Sequence, residues 1–329
     1  MVYNLLLGNA GLETNDHRIT IVPDGLLGYL PFEILIESNP PATTSGDINY
    51  SNLSYIVLHH PISYAPSGTL KYNPFFSNKN QYEINNMLAF APLYQGKVND
   101  DARSNQSHNF GPLPYAKKEA VEVSALMNGK AITDNLATKE SFKNIAGQYG
   151  LLHLAMHTII NDTLPMMSKL VFYDEKNDTL SPFLNIYEIY GLSLNAKQVT
   201  LSACNTGSGK FKKGEGIMSL ARGFLFAGVP SIVMTLWEVQ DENGALLMKH
   251  YYQLLKDGLP KDVALQQAKI SVLNHANMAK SHPFFWSSYV LMGDTTPIVK
   301  KQKNYTLWFG GLMIIGIILY YSFRKQNHN

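Results

Sequence analysis

Cysteine is almost missing from this chain. Its 329 residues contain one, Cys204, so no internal disulfide can form and the fold does not depend on an oxidising compartment. Excess charge is missing too. Lys and Arg number 27 against 25 Asp and Glu, a formal net charge of +2. There is no basic stripe interleaved with aromatics, so no direct binding of nucleic acid is expected. Internal repeats and low-complexity tracts are absent. The opening stretch MVYNLLLGNAGLETNDHR lacks a basic n-region and has too short an apolar run to read as a secretory signal. What remains is ordinary for a folded protein: 45% hydrophobic and 16% charged residues, with many Tyr and Phe for a core.

Near the C-terminus, Tyr305 to Phe323 (YTLWFGGLMIIGIILYYSF) runs 19 residues without a charge. As a helix it would be about 28 Å long, the thickness of a bilayer core. Trp308 lies near one end and Tyr320 and Tyr321 near the other. Lys300, Lys301 and Lys303 precede it, and Arg324 and Lys325 follow. The sequence therefore predicts a single-pass membrane anchor over 305–323, behind a basic linker at 299–304 and before a short tail at 324–329. The basic bias puts the large domain on the cytoplasmic side.

The remainder alternates between two patterns. Apolar runs bounded by turn residues predict strands at Ile19–Val22, Tyr55–Leu58, Met87–Ala91, Leu151–Ala155, Leu170–Tyr173, Val199–Ala203 and Ser231–Leu236. Amphipathic spacing predicts helices at Lys117–Met127, Lys139–Ala146, Glu215–Ala227, Asn243–Lys256 and Lys261–Asn274. Gly228 and Gly258 stand where helices should stop, and Pro260 where the next should start. Phe75–Tyr82 and Asp100–Gly111 read as polar connections. The alternation implies an α/β sheet with helices on its faces. Reactive groups in such sheets lie beyond the C-terminal ends of strands. Two strands end in chemically capable residues: LLHLAMHT, reaching His157, and QVTLSAC, reaching Cys204.

Three chemistries compete for these residues. A phosphate-binding loop needs G-x-x-x-x-G-K-[ST]. Here Cys204 stands where the first glycine belongs and Phe211 where the hydroxyl belongs, so nucleotide hydrolysis is disfavoured. A zinc site is disfavoured as well. Leu154 follows His153 where a helical zinc motif wants Glu, and on a strand His153 and His157 would lie about 13 Å apart. The third reading is a cysteine–histidine pair. Cys204 precedes a glycine-rich turn and a helix start, where backbone N–H groups favour a thiolate, and a nearby imidazole would take its proton. Against it stands the plain alternative of a buried, inert cysteine.

A resemblance bears on that choice. RITIVPDGLLGYLPFEIL (Arg18–Leu35), APSGTL, MLAFAPLY, LPYAKKEAVEV, GLLHLAMHTIIND, VTLSACNTGSGK, the long GEGIMSLARGFLFAGVPSIVMTLWEVQDENGALLMKHYYQLLKDG, DVALQQAKISVL and HPFFWSSYVLMGD (His282–Asp294) occur in order. Together they resemble the CHAT domain family, caspase-like modules associated with TPR repeats and related to separase among the clan CD cysteine peptidases. The His-to-Cys separation of 47 residues is close to the ~50 of caspases.

The resemblance implies a three-layer α/β/α caspase-like sandwich. Residues 1–85 would form a smaller pseudo-caspase-like front half and residues 86–298 the peptidase half. It implies that His157 and Cys204 are the catalytic pair, with the backbone N–H groups of Cys204 and Thr158 forming the oxyanion hole. The family tends to have Gly after the histidine, and here it is Thr158. His153 would pack or orient, and Glu215 would steady the loop or helix start after Cys204. TLWEVQD resembles the separase pattern in which the last Asp faces a basic P1 side chain. Asp241 is thus a pocket residue or the N-cap of the next helix, and Trp237 would wall the neighbouring pocket.

No cofactor or metal is implied. The partners implied are a protein substrate and a regulatory or TPR-type sensor protein. The expected function is a membrane-anchored, partner-activated cysteine endopeptidase in a bacterial defence or cell-death pathway. The alternative is a catalytically silent scaffold or sensor at the membrane.

Overall fold

The computed structural model describes residues 2–12, 17–38, 48–72, 86–94, 96–101, 104–161, 164–174, 181–202, 216–237, 242–277 and 279–299. In chain order the strands are β1 (Ile19–Ile21), β2 (Ile62–Tyr64), β3 (Met87–Pro92), β4 (Gly96–Asp101), β5 (Ser104–Phe110), β6 (Lys130–Asp134), β7 (Leu151–Ala155), β8 (Thr158–Ile159), β9 (Lys169–Val171), β10 (Phe183–Asn185), β11 (Gln198–Ser202), β12 (Ser231–Thr235) and β13 (Tyr289–Gly293). The helices are α1 (Val2–Leu7), α2 (Gly68–Tyr72), α3 (Ala116–Leu126), α4 (Lys139–Ile145), α5 (Ile186–Ile189), α6 (Gly216–Phe226), α7 (Glu242–Lys256) and α8 (Lys261–His275).

Eight strands make one sheet in the order β1-β2-β13-β12-β11-β7-β3-β6. β12, β11, β7, β3 and β6 are mutually parallel. β13 runs antiparallel to β12 and parallel to β2, which pairs in parallel with β1. The sheet is therefore two parallel blocks of opposite direction, joined at β12–β13. Parallel strands are covered on both faces and so read as continuous apolar runs. That holds for β3, β7, β11 and β12, in which every residue is buried.

The pleat sends alternate side chains to opposite layers. Leu152, Leu154, Val199, Leu201, Ile232 and Met234 pack with Phe142 of α4, Ile186 of α5 and Leu220 and Phe224 of α6. Leu151, Ala155, Ala89 and Val233 face the other layer, with Ala120 and Val123 of α3, Leu247 and Tyr252 of α7 and Leu265 of α8. The two helix stops occur where glycine predicted them, with Gly228 and Gly258 at φ 95° and 83°, a region that favours glycine.

The front of the chain is tied to its back. Glu33 and Lys269 of α8, both buried, pair at 2.5 Å. The other Glu33 oxygen accepts from Tyr64 Oη at 2.6 Å. Arg18 forks onto Asp262 with Nε 2.6 Å from Oδ2 and with Nη2 on Oδ1. Residues 1–299 form one compact unit by their contacts.

Three sequence expectations are corrected. Tyr55–Leu58 is not a strand: Ile56–Leu58 is a 3-10 turn, and the neighbouring Ile62–Tyr64 enters the sheet instead. Asp100–Gly111 is not a plain connection, because β4 and β5 pair there as an antiparallel hairpin. Its polar residues carry no apolar alternation to announce it. The third correction concerns the membrane. Among the described residues no helix is long and apolar enough to cross a bilayer, and Tyr305–Phe323 lies outside them. A run of uncharged residues meets a length criterion only; the described residues contain no transmembrane helix, and the single-pass anchor with its implied localisation is not retained.

Candidate active site

The strand order 6-3-7-11-12 fixes where a site can form. From β3 the chain moves outward to β6 through α3 on one face. It then returns through α4 on the other face to β7, and moves on to β11 and β12. The winding reverses between β3 and β7, and crevices in open α/β sheets lie beyond the carboxyl ends of strands at such a reversal. His157 follows β7 at this edge.

His157 is 2% exposed, and its backbone and one side of its ring are held. Its backbone N–H donates to Tyr94 Oη at 3.1 Å, and that hydroxyl donates onward to the Val171 carbonyl at 2.6 Å. Its own carbonyl accepts from Val171 N–H at 3.0 Å. The imidazole lies between the edge of Tyr94, with centroids 4.6 Å apart, and the tilted ring of Phe110 at 5.2 Å.

Imidazole Nε2 is 2.8 Å from the Gly111 carbonyl oxygen. A carbonyl only accepts, so Nε2 carries the hydrogen and Nδ1 of the neutral ring carries the lone pair. Nδ1 is buried and has no hydrogen-bond partner among the described residues. Burial pushes the His157 pKa below the ordinary histidine value, against a smaller opposite effect of the Gly111 hydrogen bond. The ring is thus a neutral base with one free basic nitrogen.

β11 is the neighbour of β7, and their register pairs Ser202 with Ala155. His157 is two residues past Ala155, and Cys204 is two residues past Ser202 in the sequence. Cys204 lies outside the described residues, as do Glu215 and Asp241. On the far side of β11, β12 pairs Met234 with Leu201 and leads to Trp237. Its Nε1–H donates to the Phe284 carbonyl at 3.0 Å. Thr158 is buried in β8, and its Oγ1 has no hydrogen-bond partner among the described residues.

His153 belongs elsewhere. It is mid-strand in β7, level with Ala89 and Thr200, and turned toward α3 and α7. Its Nδ1–H meets Tyr252 Oη at 3.1 Å; that hydroxyl donates to Thr200 Oγ1 at 2.7 Å. Nε2 faces the buried Glu119 carboxylate at 2.9 Å. A chain of polar groups thus ties α3, β7, α7 and β11 within the layer.

Sequence reasoning named no third group to orient His157. The structure supplies one in the Gly111 carbonyl, with Tyr94 and Phe110 around it. A backbone carbonyl has no side-chain signature. Tyr94 closes the MLAFAPLY stretch, but nothing in its spacing pointed at His157. Among the described residues no group of His, Cys, Asp or Glu could hold a metal ion.

An α/β sandwich with a held histidine at its parallel-block switch point defines the class. A family model described as CHAT domain matches residues 2–294, and the chain belongs to that family. It is 26% identical over 322 residues to Tetratricopeptide repeat protein 28 of Mus musculus, covering 88% of this chain and 12% of that protein. The Homo sapiens protein of the same name is 27% identical over 215 residues, covering 56% of this chain and 8% of its own length. The chain thus spans a small fraction of these relatives. Among solved structures it is similar to the Arg-specific cysteine proteinase gingipain R (RgpB): TM-score 0.43, 7% identity, 74% of this chain and 56% of that one. A complex of the Porphyromonas gingivalis RgpB pro- and mature domains gives TM-score 0.44, 9% identity, and 73% and 56% coverage. The Saccharomyces cerevisiae separase–securin complex gives TM-score 0.45, 12% identity, and 75% and 15% coverage.

Proposed function

We propose that this chain is a cysteine endopeptidase acting on a partner protein, with Cys204 as nucleophile and His157 as its base. The observation that carries the reading is the pairing of β7 with β11, which ends two adjacent parallel strands at Ala155 and Ser202. One strand continues in two residues to a neutral imidazole with a free Nδ1. The other continues in two residues to the chain's only thiol. Adjacent strands lie about 4.8 Å apart, and two residues of chain reach at most about 7 Å. In this reading the two groups leave neighbouring strands two residues beyond paired positions, the arrangement that a proton transfer between them requires.

In this mechanism Nδ1 accepts the thiol proton and the sulfur bonds to the peptide carbonyl carbon. The oxyanion is met by the backbone N–H groups of Cys204 and Thr158, a contribution of a few kcal/mol. The C–N bond then breaks, and the proton on Nδ1 passes to the departing amine. Water, deprotonated by the same nitrogen, frees the acyl group from the sulfur. Asp241 would favour Arg or Lys at P1 by a charge-assisted hydrogen bond, with Glu215 steadying the loop after Cys204. A regulatory or TPR-type partner would control access, in the kind of defence or cell-death pathway that the resemblance implies.

The test is the full chain beside its Cys204→Ala twin, each incubated with fluorogenic peptides varied at P1. Cleavage by the parent alone supports the pair, and a basic preference lost in Asp241→Asn supports the pocket. If neither cleaves and a peptide acyloxymethyl ketone leaves Cys204 unlabelled, the chain is a scaffold and the peptidase reading falls.

A further inference from the structure

The layer that carries α5 and α6 presents an apolar face to water. Phe226, the last residue of α6, is 71% exposed. Tyr190, just past α5, closes edge-on against it, with ring centroids 5.2 Å apart. Tyr187 is three residues before Tyr190, which puts the two rings on one side of α5, and it is 51% exposed. The 3-10 turn Pro165–Met167 packs against both helices. With it come Leu164, 61% exposed, and the exposed Met166 and Met167. Ile186 N–H donates to the Ser168 carbonyl at 3.0 Å, which fixes the turn beside the start of α5. Single exposed apolar residues are ordinary, but six on three touching elements are not.

The face is firm. Gly223 lets α5 lie close on α6: a Cβ there would meet Ile186 Cγ2 at 3.2 Å. Ile186, Ile189, Leu220 and Phe224 are fully buried beneath it. Tyr187 Oη accepts from Asn185 Nδ2 at 3.2 Å, and Glu188 Oε2 accepts from Asn185 N–H at 3.1 Å. Glu188 also pairs with Lys139 of α4 at 2.8 Å. A surface ordered in advance loses little entropy on binding.

Area and charge choose the occupant. At about 200 Å² for a whole aromatic side chain, the three rings leave roughly 300 Å² in water. The two methionines and Leu164 bring the face to the top of the ~300–600 Å² seen for the largest patch on a monomer. A standard interface takes about 800 Å² from each partner, about 60% of it apolar. This face supplies that apolar share alone. None of its six side chains carries a charge, so it can meet a copy of itself without like-charge repulsion. Closed two-fold pairing is also the commonest arrangement of soluble oligomers.

We propose that two copies of this chain pair through this face in an isologous dimer, with Phe226, Tyr187 and Tyr190 as its anchors. Such pairing is independent of the peptidase reading. Buried aromatic anchors carry most of the binding energy in interfaces of this size.

Sedimentation velocity on the full chain, from about 0.5 to about 100 μM, tests the pairing. A reversible dimer with a Kd of about 10 μM or tighter is expected. Phe226→Lys and Tyr187→Lys should each raise Kd about thirtyfold. Lysine suits the last turn of a helix, so Phe226→Lys keeps the fold. Val121→Lys, at an exposed apolar residue of α3 in the opposite layer, should leave Kd unchanged. A monomer at every concentration overturns the dimer and leaves the face to a different protein. A dimer that ignores both Phe226→Lys and Tyr187→Lys, or that Val121→Lys weakens equally, overturns this face as its seat.

Discussion

The Gly111 carbonyl oxygen and His157 Nε2 are 2.8 Å apart, and this one contact decides which nitrogen of the ring is basic. Gly111 directly follows β5, so the β4–β5 hairpin, a stretch that reads as a polar connection in the sequence, delivers the acceptor. Phe110, the last residue of that strand, packs on the same ring. The hairpin therefore holds the histidine in place from its Gly111 and Phe110 end.

On the peptidase reading, Phe110→Ala should leave the chemistry present and the orientation lost. A kcat/KM lower by about a hundredfold is expected, carried by kcat, since small misplacements of a reacting group cost on this scale. The acidic limb of the pH–rate profile should also move up toward the ordinary histidine value of about 6.5, as burial is relieved. A variant that slows cleavage with an unmoved limb would show that Phe110 only packs.

His157 also links stability to pH. Its folded pKa is depressed, so above about pH 6.5 neither the folded nor the unfolded state holds the proton, and the group contributes nothing. Below that value the unfolded chain binds a proton that the folded chain refuses, and stability falls with pH until the folded value is passed. Tm measured from pH 7.5 to 5.5 should drop less steeply in His157→Gln than in the parent. Parallel slopes would mean that the ring is not held neutral.

Tyr94→Phe removes the hydroxyl that joins His157 N–H to the Val171 carbonyl, leaving both groups buried and short of a partner. A loss of about 1–3 kcal/mol is expected, read from urea unfolding. An unchanged midpoint would show that neither contact matters to the fold.

His153→Leu leaves the Glu119 carboxylate buried without its partner. Leaving a buried polar group without its neighbour costs about 1–3 kcal/mol. Removing both, in Glu119→Leu/His153→Leu, should recover a large part of that loss in the same unfolding assay. A double variant as unstable as the single one would show that the two side chains are not coupled.

The legible part of this molecule was the part written in side-chain pattern. Leu151–Ala155 is an unbroken buried strand, and its continuous apolar run said so. Helix stops at Gly228 and Gly258 followed from backbone freedom. Tyr55–Leu58 misled because a short apolar run does not distinguish a strand from a buried turn. The hairpin over 96–110 was invisible because nothing in it alternates. At the site, His157 was legible as a strand-end histidine, and His153 as a residue that packs. The tautomer was not legible, because it is set by a backbone oxygen 46 residues away in sequence.

Glu33 and Lys269 are separated by 236 positions, yet they meet as a buried ion pair. During synthesis the carboxylate emerges long before its ammonium partner exists. Until α8 leaves the ribosome, β1 and β2 have neither β13 to pair with nor a counter-ion for Glu33, so the final sheet cannot close strand by strand from the front. Such distant closure slows folding. The front portion is thus expected to mature only once α8 and β13 are available to it, and a fragment stopped before residue 269 should stay protease-sensitive throughout that portion.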